Sequence, residues 1–147
     1  MTAPAGSRWR RYAWLVWLAV IFALAVIPLA WLFHREPSLD PSPITTVGHA
    51  GEYAILTVLV AWAFLLRTNA WRAVLGGVLV AAVYGPLMEV VQLPLPYRAF
   101  DVHDMVADWA GALAGALAVS VVCWWAARKR RCADDLGGPR DGGPRDP

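Results

Sequence analysis

Four long apolar segments, separated by short polar ones, constrain the fold of this chain more than any other feature. They cover residues 12–33, 49–66, 73–93 and 105–127. As α-helices they would be roughly 27 to 35 Å long, which matches a hydrocarbon core of about 30 Å. The 147 residues suffice for one domain, and a composition of 59% hydrophobic and 16% charged residues is unusual in a soluble protein. We therefore predict an all-α fold, an integral membrane four-helix bundle.

The basic residues are distributed unevenly between the two sides of such a bundle. Of the 13 Lys and Arg residues, all but two fall in the N-terminus, in the loop after the second segment or in the C-terminal tail. The exceptions, Arg35 and Arg98, fall in the first and third loops. Because Lys and Arg are enriched on the cytoplasmic side of membrane proteins, we predict a multi-pass protein of the plasma membrane with both termini in the cytoplasm.

This topology divides the chain into three parts. Residues 1–11 form a basic cytoplasmic N-terminus, residues 12–127 the four-span transmembrane domain, and residues 128–147 a cytoplasmic tail. The tail ends in GGPRDGGPRDP, which repeats GGPRD and has almost nothing to bury. We predict that this tail is disordered.

Small residues recur on one face of the third segment and on one face of the fourth, since positions three and four apart share a helix face. These faces consist of Gly77, Ala81, Gly85, Glu89 and Gln92, and of Asp104, Asp108, Gly111 and Gly115. Small residues let helix backbones approach closely in a membrane, so we interpret both faces as packing seams within one chain. The acids lie at the outer end of each seam and should point into the bundle.

Polar residues of three helices and one loop therefore converge just below the outer surface. The second segment adds His49, Glu52 and Tyr53 at its outer end, and the third loop adds Arg98. Asp101 is placed to cap the N-terminus of the fourth helix. Because an ionisable side chain facing lipid is costly, these groups should be paired or should line a watery cavity.

The residue types in this group suit proton transfer and anion binding. Carboxylates held close together share protons, so Glu89 or Asp108 would serve in general acid or base catalysis. His49 would act as a base or nucleophile, with Glu52 or Asp104 orienting it. The planar fork of Arg98 would hold a carboxylate or a substrate phosphate. Alternatively, the same network would hold the helices in register without any chemistry.

A family resemblance is carried by the run YGPLMEVVQLPLPYRAFDVHDMVADWAGALAG and by GHAGEYAIL upstream of it. The first resembles the signature of VanZ-like membrane proteins, which is E-x-x-Q at the end of one span, an Arg in the loop, and D-x-x-x-N-x-x-G-x-x-x-G opening the next. The resemblance covers residues 45–115. This chain has Thr45 and Thr46 where the family often has Asp-Lys, and Asp108 where it usually has Asn.

The resemblance implies roles for particular residues and a place of action. The matching positions are His49, Tyr53, Glu89, Gln92, Arg98, Asp104, Gly111 and Gly115. We expect catalytic candidates at His49, Glu89, Asp104 and Asp108, substrate binding by Tyr53, Gln92 and Arg98, and structural roles for Asp101, Gly111 and Gly115. The founding member is associated with low-level teicoplanin resistance, which implies a cell-envelope protein with an outward-facing polar site.

Three other functions are compatible with parts of the pattern. Gly48, His49 and the spacing of Arg98 and His103 loosely resemble membrane lipid-phosphate hydrolases, although the contiguous Pro-Ser-Gly-His is missing. A four-span transporter would place a coupling carboxylate near the bilayer midplane, whereas these acids lie near the outer boundary. A non-catalytic scaffold would show the same sequence features.

The expected partners are the lipid bilayer and an envelope lipid or glycan, with no nucleic acid among them. We predict no metal site and no cofactor, because the histidines and acids lack the spacing of zinc ligands. Cys123 and Cys132 indicate neither a disulfide framework nor a zinc site.

Overall fold

The fold was described in a computed structural model, over residues 5–27, 43–97 and 101–136. The regular secondary structure in these ranges is entirely helical and consists of α1 (Ala5–Val26), α2 (Pro43–Phe64), α3 (Ala70–Gln92) and α4 (Val102–Leu136). α2 packs against each of the other three helices, and α3 also contacts α1 and α4. All four helices are long and apolar enough to cross a membrane. The prediction of an all-α fold is confirmed over the described ranges, and so is the prediction of four helices long and apolar enough to span a membrane.

The ends of the first two helices differ from the predicted segments. α1 ends at Val26 rather than at residue 33, because Pro28 follows and disfavours the helical conformation of the residue before it. Residues 28–42 lie outside the described ranges. α2 begins at Pro43, six residues before the predicted start. Proline is favoured at the first helical position, where its missing N–H would have no partner.

α4 is longer than the predicted apolar segment, which ended at residue 127, because the helix continues to Leu136. The segment predicted to be disordered, residues 128–147, is therefore helical over its first nine residues. Its Ala, Arg, Lys and Leu residues favour helix. Arg128 also stacks over Trp124 and Lys129 over Trp125, with 5.4 and 4.2 Å from each cation to the ring centroid. Residues 137–147 lie outside the described ranges.

The small-residue seams lie where the helices meet. Every residue of the predicted seam on α3 is buried. A Cβ added at Gly77 would lie 2.6 Å from the carbonyl oxygen of Thr57, and one added at Gly115 would lie 2.5 Å from that of Ala54. A Cβ at Gly111 would overlap the backbone of Ala50. The G-x-x-x-G of α4 thus packs against α2 of the same chain.

Large apolar side chains cover the opposite faces of these helices. Leu79 and Val83 on α3, and Leu113 and Leu117 on α4, are each more than half exposed. A soluble protein would bury such side chains, because burial of apolar area drives its folding. Apolar faces exposed along whole helices are instead typical of helices whose outer surface contacts lipid.

The last two carbonyl groups of α1 accept hydrogen bonds from two side chains, one at the last residue of α3 and one after it. Gln92 Nε2 donates to Ala25 O at 3.5 Å, and Tyr97 Oη donates to Val26 O at 2.7 Å. The last four carbonyls of a helix have no partner within the helix. These two bonds therefore tie the end of α1 to the end of the bundle where α3 finishes.

Candidate functional site

Four ionisable residues meet at the end of the bundle where α2 and α4 begin and α3 ends. They are His49, Glu89, Asp104 and Asp108, which we call the His49 cluster. His49 lies in the second turn of α2, Glu89 in the last turn of α3, and the two aspartates in the first two turns of α4. Asp104 and Asp108 are four residues apart, so both point toward α2 from one face of α4.

His49 is placed between the two aspartates. Its Nδ1 lies 3.1 Å from Asp108 Oδ1, within hydrogen-bonding distance, and its Nε2 lies 3.6 Å from Asp104 Oδ2. The second distance is an ion-pair distance, too long for an N–H···O hydrogen bond. An ionised carboxylate only accepts, so Asp108 requires the proton on Nδ1 and leaves Nε2 facing Asp104.

The cluster is graded from the bundle interior toward its surface. Side-chain exposure is 2% for Asp108, against 17% for His49 and 18% for Asp104. Glu89 is buried at 2% exposure. A ligand approaching this end of the bundle would therefore reach His49 and Asp104 first, whereas Asp108 orients the imidazole from behind.

Gly85 provides the space for the Asp108 carboxylate. A Cβ added at Gly85 would lie 2.7 Å from Asp108 Oδ2 and 3.2 Å from Asp108 Cβ. Sequence reasoning assigned Gly85 to the packing seam and missed this contribution to the site. The sequence places Gly85 one turn before Glu89 on the same face, but it does not show which side chain of a neighbouring helix faces it.

Glu89 lies near the N-terminus of α4. Its Oε2 accepts a hydrogen bond of 3.4 Å from the backbone N–H of Asp101, and it interacts electrostatically with the other three members of the cluster. The N-terminal end of a helix carries a partial positive charge that favours a nearby carboxylate. This contact brings the end of α3 to the start of α4.

Asp101 is the N-terminal cap of α4. Its Oδ1 accepts a hydrogen bond of 2.8 Å from the backbone N–H of His103 and lies 2.9 Å from Nδ1 of the same residue. These two bonds hold the pKa of Asp101 below its ordinary value, and the bond from the His103 backbone contributes most. The His103 side chain is 87% exposed and is directed toward Asp101.

The residues predicted to bind substrate are not members of the His49 cluster. Tyr53 is 1% exposed and belongs to the hydrophobic core, and Gln92, at 3%, bonds to α1. Arg98 lies outside the described ranges. Their roles in binding stay predictions. Within the described parts of the chain, no three or more His, Cys, Asp or Glu residues are grouped to hold a metal ion.

The cluster retains unused hydrogen-bonding capacity. Asp104 Oδ1 is buried and has no hydrogen-bond partner among the described residues. Together with His49 Nε2, it presents two acceptors next to each other when the imidazole is neutral. This part of the site is therefore suited to a group that donates hydrogen bonds, and to transfer of a proton to or from that group.

Comparison with known proteins gives the family. A family model described as VanZ/LLP1 matches residues 10–124. This match is longer than the predicted resemblance at residues 45–115, since it also includes most of α1 and residues 116–124 of α4. No curated protein and no solved structure matches the chain. With this match and four apolar helices long enough to cross a bilayer, the chain belongs to the VanZ/LLP1 family and is a multi-pass membrane protein.

Proposed function

We propose that this VanZ-like protein acts at the cell envelope, where the His49 cluster binds an envelope lipid or glycan at the outer face of the plasma membrane. The observation that carries the proposal is the placement of His49 between Asp108 and Asp104 at one end of the bundle. The orientation rests on the basic residues, since all but Arg35 and Arg98 belong to the N-terminus, the second loop or the tail. Both termini would then be cytoplasmic.

The composition of the cluster favours a ligand group that donates hydrogen bonds. Three of its four members are acids, and Asp104 Oδ1 lacks a partner among the described residues. A sugar hydroxyl or an ammonium group suits such a site, whereas a phosphate would meet like charge. Arg98 is retained in the proposal on sequence grounds, as the residue that binds an anionic part of the same substrate.

The chemistry proposed for the cluster is general acid or base catalysis by His49. Nε2 would accept the proton of a substrate hydroxyl, and Asp108 would stabilise the resulting imidazolium through Nδ1. Asp104, on the Nε2 side, would position the substrate by accepting a hydrogen bond from a second, neighbouring hydroxyl. Glu89 would keep the start of α4 in place through its contact with the Asp101 N–H.

In the cell, we propose that this activity contributes to tolerance of teicoplanin-type glycopeptides. The test is complementation of a deletion strain with His49→Gln and with Asp104→Asn. We expect each variant to accumulate in the membrane and to lose tolerance. His103→Gln is the matched control, because it makes the same substitution in an exposed histidine that is not a member of the cluster. Full tolerance with His49→Gln would refute the proposal.

A lipid-phosphate hydrolase is the second candidate. One observation favours it: the Asp108 contact directs His49 Nε2 toward the more exposed side of the cluster, as a histidine nucleophile requires. Release of inorganic phosphate from lipid phosphates by the purified protein, abolished by His49→Gln, would favour this candidate over glycan binding.

A further inference from the structure

The end of the bundle opposite the His49 cluster carries four pairs of a tryptophan and a basic residue. In each pair the cation lies 4.2 to 5.4 Å from the ring centroid. The pairs are Arg10 with Trp62, Arg72 with Trp71, Arg128 with Trp124, and Lys129 with Trp125. We call these eight residues the basic collar. They come from the start of α1, the end of α2, the start of α3 and the second half of α4.

Helix lengths place Trp71 of α3 and Trp124 of α4 at similar depths. α3 rises about 33 Å from Gln92 back to Ala70, and α4 rises about the same distance from Val102 to Trp124, at 1.5 Å per residue. This distance is close to the thickness of a hydrocarbon core, about 30 Å. Trp71, Trp124 and Trp125 thus lie where tryptophan is enriched in membrane proteins, at the boundary between hydrocarbon and headgroups.

α4 continues past this boundary without support from the bundle. After Val119, no α4 residue up to Ala133 is buried. Residues 128–131, the sequence RKRR, are all exposed and lie about 5 to 10 Å beyond the tryptophan level. Successive residues of a helix are about 100° apart, so four basic residues in a row face all sides. This depth is that of the headgroup phosphates.

Arg10 anchors the collar to the bundle. Its Nε donates a 2.8 Å hydrogen bond to Trp62 O, one of the last four carbonyls of α2, while its guanidinium stacks over the Trp62 ring. A cation at the C-terminal end of a helix is favoured by the macrodipole. The bond fixes the start of α1 against the end of α2, so the basic residues of different helices hold a defined arrangement.

We propose that the basic collar binds the headgroup phosphates of anionic phospholipids. The planar fork of Arg128 matches a phosphate bidentately, and Lys129 adds a point charge beside it. Stacking on Trp124 and Trp125 holds both cations at the depth where those phosphates lie. The site is independent of the His49 cluster, and the proposal holds for either orientation of the protein in the membrane.

The test counts lipids bound to the purified full-length protein by native mass spectrometry, with phosphatidylglycerol and phosphatidylcholine titrated separately. The variant is Arg128→Gln/Lys129→Gln. The matched control is Arg140→Gln/Arg145→Gln, which removes the same charge from the tail. Each basic residue near an anionic surface contributes about fivefold in affinity, so we expect phosphatidylglycerol to bind the variant roughly 30-fold more weakly. The control should differ from the parent by less than about twofold.

Two further experiments complete the test. The first distinguishes a lipid headgroup from free phosphate, and the second uses the unmodified protein, so its result does not depend on the folding of a variant. Inorganic phosphate at millimolar concentration should leave phosphatidylglycerol bound. Displacement of phosphatidylglycerol by inorganic phosphate would overturn the proposal in favour of a simple anion site. The unmodified protein should lose phosphatidylglycerol, but not phosphatidylcholine, as salt rises. Unchanged phosphatidylglycerol affinity in the variant, or equal retention of both lipids at high salt, would also overturn it.

Discussion

His49 Nδ1 lies 3.1 Å from Asp108 Oδ1 and joins the second turn of α2 to the second turn of α4. The contact is buried on the Asp108 side, so water does not replace it when it is lost. VanZ-like proteins usually have Asn at this position. An Asn side-chain oxygen accepts a hydrogen bond from Nδ1 as a carboxylate does, but without the charge.

Asp108→Asn should therefore retain the fold, whereas Asp108→Leu should leave His49 Nδ1 without its hydrogen-bond partner. We expect the first to change the free energy of unfolding by less than about 1 kcal/mol and the second to lower it by about 1–3 kcal/mol. Thermal unfolding in detergent, followed by tryptophan fluorescence, measures both. If Asn destabilises the protein as much as Leu does, the charge of Asp108 and not its hydrogen bond holds the two helices together.

Gly115→Ala should destabilise the bundle, because its Cβ would lie 2.5 Å from the backbone oxygen of Ala54. Backbone cannot move aside as a flexible side chain does, so we expect a loss of about 1–3 kcal/mol in the free energy of unfolding. Gly51→Ala on α2 is the control, since nothing lies within 4 Å of its added Cβ. That substitution should be neutral or should stabilise the helix by about 0.5–1 kcal/mol.

The same denaturation assay compares the two glycine variants. Equal stability of Gly115→Ala and Gly51→Ala would show that α2 and α4 do not meet through their backbones at this level.

The helices and their seams could be predicted because both depend on local sequence. Apolar runs of the right length indicate spans, and glycines four apart on one face indicate close packing. The meeting of His49 with Asp104 and Asp108 follows from these, since each lies at the same end of its own helix. The role of Gly85 could not be assigned, because the sequence does not show which side chain faces a small residue.

Features that depend on tertiary placement or on mixed signals were missed. Hydropathy falls at residue 128, but α4 continues because helix propensity and stacking on Trp124 and Trp125 replace apolar character. Gln92 was assigned to substrate binding from the resemblance. Its bond to Ala25 O depends on where α1 ends, which the hydropathy profile places several residues too late.

Asp101 should make stability depend on pH in acid. Its pKa is held below the ordinary value by the hydrogen bonds from His103, so the ionised form stabilises the folded state. That contribution is present above about pH 4 and is lost as the pH falls through the lowered pKa. The difference in unfolding temperature between the parent and Asp101→Ala should therefore be largest near pH 7 and should narrow below about pH 4.

Asp101→Asn separates the charge from the cap. Asn caps a helix about as well as Asp, so this variant should keep most of the stability at pH 7 and should lack the acid-dependent loss. A parent and an Asp101→Asn protein with the same pH profile would show that another group causes the acid dependence.

Thr57→Val should stabilise the protein or leave it unchanged, because the Thr57 hydroxyl is buried without a hydrogen-bond partner among the described residues. Valine has nearly the same shape and removes a polar group whose burial costs about 1–3 kcal/mol when it is unpaired. We expect a gain of about 1 kcal/mol in the free energy of unfolding.

Ser120→Ala is the control, since its hydroxyl is exposed and bonds to Ala116 O at 2.8 Å. Ser120→Ala should change stability by less than about 0.5 kcal/mol. A clear loss of stability in Thr57→Val would mean that the hydroxyl has a partner in the folded protein, between the Gly77 and Gly115 seams that enclose it.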